Sequence, residues 1–171
     1  MSVLRKALAL AGTSAAAAAL ITLPVSPASA TTADDTWAVT VSGSYWVVDD
    51  DSTVFSNSYS YASSKFTKTY YVGKSSGSAY EDVWSACAGG EVNGTSGTSV
   101  MRGDNGVYVD FALRLHEGDS CYSSDVDGRT QPPAYFLSDG QTQTRRIQVG
   151  NTSEGGKDAV TLDVTISARR L

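Results

Sequence analysis

One histidine and two cysteines in 171 residues leave little room for thiol or soft-metal chemistry. A structural zinc set takes four His or Cys ligands, more than this chain holds. A serine or cysteine nucleophile needs a base, and His116 is the sole histidine. There is no Gly-x-Ser-x-Gly elbow and no glycine-rich phosphate loop. Positive charge is also short, with 13 Lys and Arg against 18 Asp and Glu and a net charge of −5. The basic residues are scattered rather than striped, which excludes the electrostatic footprint of a nucleic-acid binder. The acidity likewise disfavours an anionic membrane surface and favours solubility. After residue 30 there is neither a long apolar run nor a sustained helical period.

What the chain does have begins with a leader. Arg5 and Lys6 precede an uncharged, alanine-rich run from Ala7 to Leu23, then Pro24 and Pro27, then Ala28-Ser29-Ala30. This is the order of a secretory signal peptide, with cleavage expected after Ala30. Residues 1–30 are therefore expected to be removed, and residues 31–171 to form one domain without a membrane span. Arg5 and Lys6 leave with the leader, and every acidic residue stays, so the exported chain is more acidic still. In an oxidising compartment Cys87 and Cys121 are expected to form a disulfide.

The strongest pattern is a period of two. Val107, Val109, Phe111, Leu113 and Leu115 alternate with Tyr108, Asp110, Ala112, Arg114 and His116. Such alternation gathers the apolar set on one face of a strand and scatters it around a helix. The Asp104-Asn105-Gly106 stretch before it suits a tight hairpin turn. Trp37 to Val48 reads the same way, with Trp37, Val39, Val41, Tyr45 and Val47 on one face and Gly43 marking a bulge or bend. Further strands are expected at Val54–Tyr61, Lys65–Val72, Tyr80–Ala88, Thr98–Arg102, Ala134–Leu137, Thr142–Val149 and Asp158–Ala168. Thr31–Asp35 reads as a flexible start, Gly73–Gly77 and Gly150–Lys157 as turns, Gly89–Gly97 as a mobile loop and Asp119–Pro133 as an acidic loop. About eight or nine strands at this spacing predict an all-β fold, a single antiparallel β-sandwich of immunoglobulin-like or Greek-key type.

Four chemistries are weighed on that frame. His116 lacks a partner and is read as a residue at a strand end. Glu81, Asp82, Glu91, Glu117, Asp110 and Asp163 lie on or near strands, and a carboxylate hydrolase would need two of them across a cleft. Acidic turns at Asp49, Asp50 and Asp51, and at Asp119, Asp125 and Asp127, carry the hard oxygen ligands that calcium takes. The strand list puts an odd number of crossings between these turns, hence opposite ends of the sandwich. The expectation is therefore no metal and no cofactor, with Asp49, Asp50, Asp51, Asp125 and Asp127 as solvated turn residues. Nine tyrosines and three tryptophans complete the inventory. Trp46, Tyr59, Tyr61 and Tyr71 fall among polar alternates, where exposed rings can stack on a ligand. Arg102-Gly103-Asp104 is read as turn chemistry rather than as an adhesion tripeptide. Asn93-Gly94-Thr95 and Asn151-Thr152-Ser153 fit glycan-acceptor spacing.

The sequence thus points to a secreted, non-enzymatic β-sandwich that contacts an extracellular ligand, a glycan or a protein. The alternatives are a small secreted hydrolase using paired carboxylates and a structural component of the cell envelope.

Overall fold

A computed structural model describes residues 35–51, 58–73, 78–151 and 157–171, with residues 78–82 as backbone alone. The expected leader, residues 31–34 of the expected flexible start, residues 54–57 of one expected strand, most of the two expected turns at 74–77 and 152–156, and the side chains of Tyr80, Glu81 and Asp82 lie outside the described residues.

The described residues form nine strands and no helix: β1 (Trp37–Asp50), β2 (Tyr59–Val72), β3 (Ser78–Ala88), β4 (Val92–Arg102), β5 (Val107–His116), β6 (Val126–Thr130), β7 (Tyr135–Leu137), β8 (Thr142–Gly150) and β9 (Ala159–Arg170). All pairs are antiparallel. One sheet has the order β2-β1-β9-β8, and the other is the meander β3-β4-β5-β6, with β7 sharing the outer edge of β5. The two sheets face each other as a β-sandwich. Alternation explains which side chains enter the core. Val107, Val109, Phe111, Leu113 and Leu115 of β5 are all buried, as are Trp37, Val39, Val41, Tyr45 and Val47 of β1 and Val160, Leu162, Val164 and Ile166 of β9. On the edge between β2 and β3, Phe66 stacks on Trp84 with ring centroids 4.0 Å apart and closes the sandwich there.

Several sequence expectations are corrected. Val54–Tyr61 and Lys65–Val72 are not two strands; Tyr59 to Val72 runs unbroken as β2, paired residue by residue with β1. No bulge occurs at Gly43, where pairing to β2 and β9 continues without a shift. A Cβ at Gly43 would overlap the Asp163 carbonyl, so this glycine permits close strands rather than a bend. The segment Val92–Gly97 is strand rather than mobile loop. Its inward positions Val92, Gly94, Ser96, Thr98 and Val100 are buried, and a Cβ at Gly94 would collide with the Tyr45 hydroxyl and Val160. Here glycine makes room for a ring from the facing sheet. Gly106 does not adopt a left-handed conformation; the turn is closed by the Gly103 amide donating to the Gly106 carbonyl at 2.8 Å. The Asp119–Pro133 loop contains β6, held against the end of β5.

Merging two strands into β2 changes the geometry of the ends. Strands β2 to β5 separate the two acidic turns, an even number of crossings. Both turns therefore lie at the same end of the sandwich, not at opposite ends. The Cys87–Cys121 disulfide is formed at that end, with Cα atoms 5.7 Å apart, and ties the close of β3 to the loop after β5.

Two paired substitutions test this packing. Phe111→Ala should destabilise the fold by about 3–5 kcal/mol, while Arg114→Ala on the exposed face should cost under about 0.5 kcal/mol, both read by urea denaturation. Gly94→Ala should cost about 1–3 kcal/mol through overpacking, whereas Gly97→Ala, which meets open space, should be near neutral. Equal effects within either pair would mean that the faces of β5 or β4 are reversed.

Candidate functional site

The outward parity of β1 and β2 builds the first candidate surface. Trp46 pairs with Ser63, and Tyr61, two residues before Ser63, is its diagonal neighbour across the ladder. Tyr59 follows on the same face, opposite Asp50. At about 3.3 Å per residue the three rings are spaced along a strip about 13 Å long. Their exposures are 46% for Trp46, 50% for Tyr59 and 69% for Tyr61. The Trp46 indole N–H donates to Ser44 Oγ at 3.1 Å, which orients the ring along its own strand. Thr161 of β9 lies opposite Trp46, and Gln148 of β8 opposite Thr161, so hydroxyl and amide groups flank the strip.

Tyr71, although 61% exposed, is ten residues from Tyr61 on the same strand, or about 33 Å away. The structure therefore joins three of the four aromatic candidates and separates the fourth. Sequence reasoning also passed over an exposed group on the other sheet. Tyr108 and Phe136 pair across β5 and β7 with centroids 5.1 Å apart, and Met101 is the cross-strand neighbour of Tyr108.

The second candidate lies at the acidic end. Asp49 continues the inward parity of Trp37 to Val47 and is buried, only 2% exposed, rather than solvated. Asp51 has the same parity one step beyond the strand and is exposed. The tight β3–β4 turn reaches across to them. Gly89 and Gly90 have φ of 63° and 103°, a region that favours glycine, and a Cβ at Gly89 would overlap the Asp49 carboxylate. Glu91 follows, and one carboxylate oxygen each from Asp49, Asp51 and Glu91 lie within 4.8 Å of one another. Burial, then the charges of Asp51, Asp158, Glu91 and Asp50, pushes the Asp49 carboxyl up to about 6. Asp50 points the other way and is buried too; its amide donates to Asp158 Oδ1 at 2.8 Å.

Asp125 and Asp127 do not join that group. Asp127 Oδ2 accepts the Glu117 amide at 3.0 Å, and the Asp125 amide donates to Ser123 Oγ at 3.2 Å. Three other candidate carboxylates, those of Asp163, Asp110 and Glu117, are each engaged by a neighbour. Arg146 donates twice to Asp163, at 2.6 and 2.7 Å, and holds its carboxyl below the ordinary range. Asp110 accepts from Gln131, and Glu117 from Asn151, each at 2.7 Å. His116 Nε2 lies 3.3 Å from Thr95 Oγ1. Arg102 is ion-paired with Asp35, which withdraws it from the Arg-Gly-Asp turn. Asn151 is buried, which withdraws it from glycan attachment. Glu91 was legible only as a residue near a strand; the Gly-Gly pair before it was the signal for a tight turn. The sequence matches no protein-family model and no curated protein.

The raised Asp49 value has a definite sign. A carboxyl that titrates higher in the folded chain than in the unfolded one takes up a proton on folding. Stability then falls as pH rises from about 4 to about 6. In chelator-containing buffer the difference between wild type and Asp49→Asn should change by about 2 kcal/mol across that window, read from denaturant midpoints. A difference that stays constant with pH would show that Asp49 titrates normally.

Proposed function

We propose that the protein is exported and acts outside the cell as a non-enzymatic binding module whose ligand is a glycan. The observation that carries this reading is the strip formed by Trp46, Tyr61 and Tyr59. Large aromatic groups held in water forgo the burial energy that the rest of the core gains, and a ligand that stacks on them recovers part of it. Sugar rings present apolar C–H faces with hydroxyls at the rim. The strip offers the matching arrangement, with rings flanked by Ser44, Ser63, Thr161 and Gln148. A flat sheet face suits an extended polysaccharide better than a small molecule, which favours enclosed pockets. The leader sequence and the Cys87–Cys121 bridge support export.

The test is a panel of soluble and insoluble polysaccharides, cell-wall material included, offered to residues 31–171. Binding should quench tryptophan fluorescence and fall at least tenfold in Trp46→Ala and in Tyr61→Ala. Tyr71→Ala and Tyr108→Ala should bind as wild type does. Loss of binding in Tyr108→Ala with retention in Trp46→Ala would move the site to the other sheet. Release of reducing ends from the same polysaccharides would instead favour the hydrolase.

A further inference from the structure

We propose that Asp49, Asp51 and Glu91 form a binding site for one divalent cation of the calcium type, at the end of the sandwich where β1 leaves its sheet. The three residues come from two elements that only the fold brings together, the exit of β1 and the β3–β4 turn. Their geometry fits a single ion. Oxygens bound at about 2.4 Å from one centre can be at most about 4.8 Å apart. One carboxylate oxygen from each of the three lies within 4.8 Å of the other two.

The second observation is Asp49 itself. It is almost wholly buried, and its Oδ2 has no hydrogen-bond partner among the described residues. A buried acceptor left unsatisfied is costly, and a buried carboxylate more so. The groups around it worsen the cost, because Asp50, Asp51, Glu91 and Asp158 are all acidic. Among the described residues no lysine or arginine pairs with Asp49, Asp51 or Glu91. Asp158 is committed through Oδ1 to the Asp50 amide. A cation between the three carboxylates would complete Asp49 and offset the repulsion at once.

The donor set decides the class of ion. Every ligand is a carboxylate oxygen, with no imidazole or thiolate, which selects a hard cation over zinc or copper. Asp51, just past the end of β1, and Glu91, in the β3–β4 turn, are both exposed, so the remaining positions are open to water. Such a site tolerates the irregular, higher coordination of calcium and does not impose the strict octahedron of magnesium. Its affinity should fall in the millimolar to submillimolar range of extracellular calcium modules.

Melting of chelator-treated residues 31–171, titrated with CaCl2 against MgCl2 and matched NaCl, tests the site. The expected result is a melting temperature that rises by about 3–6 °C at 10 mM calcium, saturates, and rises much less with magnesium. Calorimetric titration should give one calcium per chain. Asp51→Asn and Glu91→Gln, both at exposed positions, should fold normally and lose the rise. No rise at 10 mM calcium, an equal rise in NaCl, or a rise that survives in both variants would overturn the site. Glycan binding by the aromatic strip is read separately, so failure of one leaves the other standing.

Discussion

The register of β1 is the constraint on which the rest depends. This strand is bonded to β2 on one edge and to β9 on the other, and neither ladder shifts along its length. A slip of one residue would exchange its two faces entirely. With the slip forbidden, one parity carries Trp37, Val39, Val41, Tyr45 and Val47 into the core and ends on Asp49. The other parity carries Trp46 to the surface beside Tyr61. Both candidate sites are thus consequences of a single register, one on each face of the same strand.

The facing sheet has adapted to what β1 sends inward. Tyr45 is large and fully buried, and its burial holds the phenol well above the ordinary value. The inner face of β4 answers with small residues, Gly94, Ser96 and Thr98. That choice admits the ring but leaves polar atoms in the core, for Tyr45 Oη, Ser96 Oγ and Thr98 Oγ1 have no hydrogen-bond partner among the described residues. Such groups weaken a core, and the disulfide nearby counters this by restricting the unfolded chain, an effect of about 3–4 kcal/mol for a loop of this length.

Charge is divided between the two ends. Carboxylates of β1, the β3–β4 turn, the loop after β5 and the start of β9 gather at one end. At the other, Asp35 is held between Arg102 of β4 and Arg170 of β9. An isolated surface pair of this kind adds little stability. Bridging two sheets, it nonetheless fixes the chain as it enters β1. Among the described residues the acidic end has no comparable pairing around Asp49, and that asymmetry separates an ordinary charged rim from a site.

The sequence by itself determined the all-β class, the buried faces of β1, β5 and β9 and the cysteine pair, and it marked Trp46, Tyr59, Tyr61 and Tyr71 as candidates for exposure. These follow from alternation, which is local and survives without knowledge of partners. It misread Gly43, the Gly94 region and the break before Lys65, because glycine and serine there serve a close approach or an edge strand rather than a turn. That distinction depends on what packs opposite. Tertiary structure alone decided that Tyr71 stands apart from the other rings and that Asp49 is buried. It alone brought Glu91 of another sheet to Asp49 and Asp51. Those outcomes depend on how many times the chain crosses the sandwich, a parity that one merged strand reverses.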